Sequence, residues 1–410
     1  MDDLRGRTSA AKTYFEGTHR VLAPGETIAR ARASMPIYGI TRIAHLTGLD
    51  RIGLPVVMVC RPNARSSAVF HGKGLDKAAA EASGLMEAIE TWHAEHVQLP
   101  LRLGSVAELG RLVPLVDVLG LPRFPSGRFH PDLAMLWVEG RDFVSGGPLW
   151  VPYETVHMNA TLPEPPGSGC FVGSTNGLAS GNHLLEAASH ALCELVERDA
   201  TSLWRHRSTA ARDRSRLDLG TVADDACRSV LERLERADLE VAVWDTTSDI
   251  GIPSFQALLL DRTGEVPHLG QGAGCHPTAE IALARALTEA AQVRMTYITG
   301  SREDIRHDDY HHATLEQRLA DAKTIMRPVE AARDIREVAG HHFPSFEAEV
   351  AWIVERLEAV GMRQVVVVDL SRPETGIFVV RAIVPRLEGS DHLRDYAPGA
   401  RALAQQRARS

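Results

Sequence analysis

Cysteine is scarce and scattered. Cys60, Cys170, Cys193, Cys227 and Cys275 are the five in 410 residues, and no two form a C-x-x-C pair. That excludes a zinc ribbon, leaves no disulfide framework, and points to a reducing, cytoplasmic setting in which the thiols act as small buried groups. No run approaches about 18 apolar residues, so no membrane-spanning helix is expected. The opening Met1-Asp2-Asp3-Leu4-Arg5 has the features of neither a signal peptide nor a transit sequence. Positive charge is not in excess: 45 Lys and Arg against 53 Asp and Glu leave a net charge of −8, which argues against a general nucleic-acid binder. The G-x-x-x-x-G-K-[ST] frame is missing too; His71-Gly72-Lys73-Gly74 is its nearest approach. Finally, nothing between residues 15 and 400 has linker composition. We read that span as one composite domain, with a loose N-terminus over 1–14 and a frayed basic tail over 401–410.

What is present is a pattern that occurs three times. Gly84-Leu85-Met86-Glu87-Ala88-Ile89-Glu90, Ala191-Leu192-Cys193-Glu194-Leu195-Val196-Glu197 and Ala286-Leu287-Thr288-Glu289-Ala290-Ala291-Gln292 each place a Glu three residues before a second Glu or a Gln. Residues three apart share a helix face, and the residues around these pairs are the Leu, Ile, Val, Ala and Met of a buried stripe. A single such pair is usually a solvated face. Three copies favour a shared site for a hard divalent cation, because carboxylates on an apolar face repel one another and are costly to desolvate without one. Each helix is led by a glycine: Gly74 and Gly181 stand thirteen residues before Glu87 and Glu194, and Gly274 stands fifteen before Glu289. A glycine turn there suits a phosphate approaching helix-start amides. In the second copy Glu186, Glu194 and Glu197 fall on one stripe, with Arg198 directly after.

The rest of the chain mixes both kinds of element. Pro24 to Ala33 is expected as a helix, and Ile40–Leu46 and Pro55–Arg61 as strands joined by a turn at Gly48-Leu49-Asp50. From Pro100 to Gly169 the composition suggests edge strands and long loops forming a wall for substrate or partner. Two helix–strand–strand units follow, Leu231–Glu235 with Glu240–Asp245 and Phe255–Asp261, then Val354–Glu358 with Gln364–Asp369 and Ile377–Pro385. They predict an internally duplicated α+β scaffold. The His-rich stretch between Gly300 and Pro344 lacks zinc-ligand spacing and is read as a solvated loop.

Several of these motifs together resemble the YcaO family over roughly residues 15 to 400. They are Gly72-Lys73-Gly74 with Ser83-x-x-x-Glu87-x-x-Glu90; Ser174-Thr175-Asn176-Gly177-Leu178-Ala179-Ser180-Gly181-Asn182 through Glu194-Leu195-Val196-Glu197-Arg198; and Gly274-x-His276-Pro277 to Arg285-x-x-x-Glu289-x-x-Gln292. The resemblance implies an α+β fold unrelated to the P-loop, with helices and sheets around a central nucleotide cleft, that uses ATP and Mg²⁺ to phosphorylate the oxygen of a peptide backbone amide. It implies magnesium ligands at Glu87, Glu90, Glu194 and Glu197 and a further nucleotide-site acid at Glu186. It also implies nucleotide contacts at Asn182, Arg198 and Arg285, with Ser83, Glu289 and Gln292 at the matching motif positions. Arg20 and Thr27 stand where family members carry a Lys and a Ser near ATP, seven residues apart in both.

Within the family, Gly17-Thr18-His19-Arg20, Gly39-Ile40-Thr41-Arg42 and Thr47-Gly48-Leu49-Asp50-Arg51-Ile52-Gly53-Leu54-Pro55-Val56 look like the branch associated with TfuA proteins and thioamide formation. Azoline-forming members commonly end in Pro-x-Pro-x-Pro, whereas here the chain reads Ala397-Pro398-Gly399-Ala400-Arg401. The resemblance therefore implies a thioamide made with external sulfide and a separate TfuA-like partner, on a peptide or protein substrate. A homodimer is expected; nucleic acid and membrane are not. An azoline-forming cyclodehydratase and a non-catalytic ATP-binding subunit are the alternatives.

Overall fold

The computed structural model describes residues 10–407 apart from Glu16, 264–267, Asp304, 331–332 and 390–395. Its strands are β1 (Thr13–Phe15), β2 (Thr18–Arg20), β3 (Arg42–His45), β4 (Val56–Cys60), β5 (Val69–Lys73), β6 (Leu101–Gly104), β7 (Met135–Asp142), β8 (Pro148–Pro152), β9 (Leu178–Gly181), β10 (Leu239–Asp245), β11 (Ser254–Asp261), β12 (Gly270–Cys275), β13 (Val366–Asp369) and β14 (Phe378–Ile383). The helices of eight or more residues are α1 (Pro24–Ala33), α2 (Lys77–Glu95), α3 (Leu184–Arg205), α4 (Asp225–Arg236), α5 (Ala279–Thr299), α6 (His312–Met326), α7 (Phe346–Ala359) and α8 (Ala400–Arg407). This is an α+β fold, as the sequence implies.

Three antiparallel sheets organise it. β3-β4-β5 and β10-β11-β12 are meanders, each running directly into a helix of the repeated pattern, α2 and α5. The large sheet has the order β6-β7-β13-β14-β9, with β8 also on β7, and β9 leads into α3. The duplicated unit is thus α4-β10-β11-β12-α5 matched by α7-β13-β14-β9-α3. In the second, the strand beside β14 comes from residues 178–181, earlier in the chain, paired from Phe378↔Gly181 to Arg381↔Leu178.

Local chemistry sets the helix ends. The Asp76 side chain accepts from the Ala79 amide at 2.7 Å to start α2, and Asp224 does the same for Cys227 at 2.8 Å in α4. Gly300, at φ 57°, ends α5 in the left-handed conformation. Each repeated helix buries one face. α2 covers Val57, Val59 and Phe70, α3 packs with Ile353, Leu357 and Val380, and α5 packs with Phe255, Ala257 and Leu259. Full burial of one such aliphatic chain is worth about 1.5–3 kcal/mol.

Four expectations are corrected. Gly181 and Gly274 are not turns but strand positions where the backbone lies on helix backbone, and Gly74, just past β5, is pressed against the helix that follows it. A Cβ on Gly274 would stand 2.1 Å from the Ala282 carbonyl oxygen, one on Gly181 2.7 Å from the Ala187 amide, and one on Gly74 2.6 Å from the Ala80 amide. The 100–169 region is not only edges and loops, because β7 lies inside the large sheet between β6, β8 and β13, with Trp137 wholly buried. The His-rich stretch read as a loop contains α6, whose Ala322 and Met326 are buried. The basic tail forms α8 over Ala400–Arg407, fastened by Arg401 to Asp199 and Asp249. At the other end, Thr13–Phe15 pairs with Thr18–Arg20 as a hairpin, and residues 1–9 of the segment expected to be loose lie outside the described residues.

Candidate active site

The three repeated helices form a closed ring with the strands that precede them. Each packs on its own strand, and each also touches the strand of another unit: α2 on β9, α3 on β12, α5 on β5. Side chains mark these crossings. Glu90 on α2 accepts hydrogen bonds from the Ser180 amide (3.0 Å) and hydroxyl (2.6 Å) at β9. Gln292 on α5 donates to the His71 carbonyl on β5. Cys193 on α3 lies against Cys275 on β12. The ring turns the acid-bearing faces of all three helices toward one region.

Burial outweighs the neighbouring cations for most of the acids in that region. Burial pushes the Glu90 carboxyl up to about 8, against the pull of Ser180, and Glu87 and Glu194 push it the same way. Glu197 is 8% exposed; burial raises it to about 7, opposed by Arg198 and reinforced by Glu289 and Glu194. Burial likewise raises Glu87, against Arg302 and Lys73, and Glu194, against Arg198 and Arg381. Glu289 differs. Burial pushes it up, but the Lys73 ammonium at 2.9 Å, with Arg198, holds it below the usual carboxylate range.

Cations surround the acids. Arg198 lies 3.8 Å from Glu194 and 3.6 Å from Glu197, and Arg20 lies 3.7 Å from Glu186, which also accepts from the Val21 amide at 3.0 Å. Arg285 donates to the Cys275 carbonyl at 3.1 Å and stands 3.5 Å from His190. On the α1 side, Asn182 donates to the Thr27 hydroxyl at 2.9 Å while its own Oδ1 is buried without a hydrogen-bond partner. Ser83 is half-buried one helical turn before Glu87. The structure thus gathers the sequence-selected residues from α1–α3, α5 and the β1–β2 hairpin. It does not close them into a cage, since among the described residues no three His, Cys, Asp or Glu side chains form a group able to hold a metal ion.

Three contributors escaped the sequence reading. Lys73 belongs to the Gly72-Lys73-Gly74 motif but was given no role of its own, and Arg302 sits in the stretch read as loop. Arg381 is the third: 2% exposed on β14, it donates to the carbonyls of Ser174 and Asn176, both at 2.8 Å, and of Val156, and its charge reaches Glu194 and Glu90. A lone Arg inside the apolar strand Phe378-Val379-Val380-Arg381-Ala382-Ile383 was the available signal.

A set of hard oxygen donors pushed toward protonation, beside Arg and Lys, suits a divalent cation carrying a polyanion. The Asn182 Oδ1, buried beside Thr27 without a hydrogen-bond partner, is a further oxygen that such a ligand could engage. The family model described as YcaO cyclodehydratase, ATP- and Mg²⁺-binding, matches residues 71–388. The chain belongs to the YcaO family. The cofactors expected from the sequence, ATP and Mg²⁺, are those of YcaO proteins. This YcaO chain is 36% identical over 406 residues to a Rhizobium leguminosarum bv. trifolii protein described by its place in the tfuA 3′ region, with 94% of this chain and 92% of that one covered. It is 33% identical over 381 residues to a protein of Methanothermobacter thermautotrophicus, covering 90% and 95%. In fold it resembles the YcaO of Methanopyrus kandleri bound with AMPPCP and Mg²⁺, at a TM-score of 0.75, 24% identity, and 95% and 99% coverage. It also resembles a heterocyclase in complex with substrate and cofactor, at 0.76 and 23%, covering 93% of this chain and 54% of that one. The chain therefore spans about half the length of that heterocyclase. No helix among the described residues is long and apolar enough to cross a membrane.

Proposed function

We propose that the chain activates a peptide backbone amide by ATP-dependent phosphorylation of its oxygen and installs a thioamide, with external sulfide and a TfuA-like partner. The observation that carries this reading is the ring of three strand–helix units. It sets Glu87, Glu90, Glu194 and Glu197 in one desolvated region faced by Arg20, Lys73, Arg198 and Arg285. In this reading the four acids hold Mg²⁺. Glu186, Arg20, Thr27 and Asn182 hold the nucleotide on the α1 side, and Arg198, Arg285, Ser83, Glu289 and Gln292 line the rest. Mg²⁺ supplies neutralisation of the triphosphate and of the charge that develops as the γ-phosphoryl group moves.

The chain's own residues do the remainder. Carboxylates raised by burial release protons on binding the cation, so binding is linked to proton loss. Arg198, beside Glu194 and Glu197, would be available to phosphate oxygens when those acids hold the cation. Lys73 can exchange Glu289 in the same way. For the substrate, hydrosulfide adds to the amide carbon, the resulting oxyanion takes the γ-phosphoryl group, and loss of phosphate with the proton leaves C=S, ADP and phosphate.

The relative in the tfuA 3′ region supports the thioamide product. The family description as cyclodehydratase favours a second reading, in which Cys, Ser or Thr of the substrate is the nucleophile and water is lost. Intact-mass analysis of a precursor peptide incubated with ATP, Mg²⁺, sulfide and the TfuA-like protein tests both. Exchange of one oxygen for one sulfur, with one ADP per exchange, is expected. Loss of water would select the azoline, and an unchanged mass with nucleotide still bound would leave a non-catalytic subunit.

A further inference from the structure

A cavity of about 810 Å³ lies between the 117–129 segment and the segment leading into α8. Leu119, Leu121, Phe124 and Phe129 line one side, Leu387 and Leu403 the other. Leu119 is 65% exposed and Leu403 40%, so the mouth presents apolar surface to solvent. Hydrogen bonds anchor the described residues of both walls. The Arg386 amide donates to the Gly120 carbonyl at 2.7 Å and its guanidinium grips Asp117 at 3.1 Å, holding Arg386 in the left-handed region at φ 77°. Opposite, Glu388 accepts from the Tyr396 hydroxyl and the Gly399 amide, both at 2.8 Å, and from the Ala402 amide at 2.9 Å. Arg401 then joins this wall to Asp199, two residues beyond Glu197 on α3. A groove built this firmly, and tied to the helix that carries the acids, is preformed for a ligand.

Ser174 and Asn176 also line the groove. They belong to the loop whose carbonyls Arg381 holds, and the charge of Arg381 also reaches Glu90 and Glu194, so Arg381 links the groove's loop to the acid region. The Oδ1 of Asn176 is buried with no hydrogen-bond partner. An acceptor left so gains from any ligand N–H that reaches it. Apolar walls, fixed carboxylates already engaged by Arg386 and backbone amides, and an open acceptor for an N–H describe a site for extended polypeptide. Arg123 also lines the groove, but a small polyanion held by it would leave the apolar walls uncovered, whereas an extended polypeptide covers them.

We propose that this groove binds an extended segment of the substrate polypeptide, apolar side chains against Leu119 and Leu403, and passes the amide to be modified toward Ser174 and Asn176. The proposal rests on the peptide-modifying function given above and adds where the substrate is held.

The test uses the full chain with AMPPCP and Mg²⁺ against an array of random peptides of about eight residues, a length that spans such a groove at about 3.3 Å per residue. Wild type is expected to retain a subset rich in apolar residues. Leu119→Glu and Leu403→Glu, both at exposed positions, should each weaken that binding by about tenfold or more, with AMPPCP affinity by calorimetry unchanged within about twofold. Retention of the same peptides by both variants, or no peptide retained by wild type that binds AMPPCP normally, overturns the groove assignment alone. Variants that lose self-association in sedimentation but keep peptide binding would assign the face to a second copy and also overturn it. Failure of wild type to bind AMPPCP and Mg²⁺ at all is a separate result, which strikes the proposed function.

Discussion

Glu197→Gln at the metal-free site gives the sharpest reading of the electrostatics. The carboxylate is buried on α3, and burial, with Glu289 and Glu194, lifts it from 4.5 to about 7 although Arg198 is 3.6 Å away. An acid whose folded-state value is raised stabilises the fold fully below its unfolded value, and that contribution is lost as pH rises through the folded value. For Glu197 the loss runs from about pH 4.5 to about pH 7. The whole interval is worth roughly 3 kcal/mol, of which about 2–3 kcal/mol falls between pH 5 and pH 8. Gln cannot ionise, so the variant escapes the loss.

The stability of Glu197→Gln relative to wild type should therefore climb by about 2–3 kcal/mol across that range when magnesium is chelated. For a chain this long that is roughly 2–4 °C in the midpoint of thermal unfolding. Taking the difference between the two proteins at each pH cancels the titrating groups that do not interact with Glu197, leaving it and its neighbours Glu194 and Glu289. Mg²⁺ with AMPPCP should raise the wild-type midpoint at about pH 8 and leave the variant nearly unmoved, because the released carboxylate is what the cation neutralises. A variant whose advantage stays flat, or shrinks, as pH rises refutes the claim that Glu197 is held at a cost for want of a cation.

The other expectations follow from single contacts. Glu194→Gln removes charge without volume and should abolish nucleotide turnover in a phosphate-release assay while far-ultraviolet circular dichroism stays that of wild type; normal turnover would exclude it as a metal ligand. Gly274→Ala drives a methyl to 2.1 Å from the Ala282 carbonyl, so it should cost about 3 kcal/mol or more in chemical denaturation. Gly25→Ala on α1, with nothing within 4 Å, should change stability by no more than about 1 kcal/mol, in the stabilising direction. Arg401→Ala strands the wholly buried Asp199 carboxylate, a loss of about 3–5 kcal/mol that should appear as a lower unfolding midpoint and faster proteolysis at the α8 end.

The sequence was most legible where local pattern and tertiary role coincide. Pro24–Ala33 is a helix, the strands flanking Gly48-Leu49-Asp50 pair as expected, and both helix–strand–strand units form. The acid pairs were found because a three-residue spacing on an apolar helix is visible without neighbours. Misreadings arose where the same residues serve a distant partner. Gly181 and Gly274 read locally as turn formers, yet what demands glycine is a helix backbone several residues on, at contact distance. Arg401 read as part of a frayed tail because its partner, Asp199, lies on α3, 202 residues away. β7 read as an edge because burial on both faces depends on β6, β8 and β13, none of which its own residues announce. Arg381 escaped for the same reason: its bonds all go to backbone carbonyls of two distant loops.

The ring also explains why three copies are present rather than two. Glu90 is oriented by Ser180 of the second unit, and the first unit's β5 meets Gln292 and Glu289 of the third, at the His71 carbonyl and Lys73. The second unit's α3 meets β12 of the third, where Arg285 is held on the Cys275 carbonyl. Removing one unit would therefore leave acids on a second without their orienting partners, even where its own helix survives. A carboxylate near the protonated state is a weak metal ligand until it is oriented and deprotonated together with its neighbours. Cation binding should then depend on all three interfaces at once, so damage at the β5–α5 interface, far along the chain from Glu194, must weaken the same site. Gln292→Ala removes the tie to the His71 carbonyl, touches none of the four acids, and tests the coupling at the β5–α5 interface. It should raise the Mg²⁺ concentration needed for AMPPCP binding severalfold, and an unchanged requirement would mean that this interface is not coupled to the site.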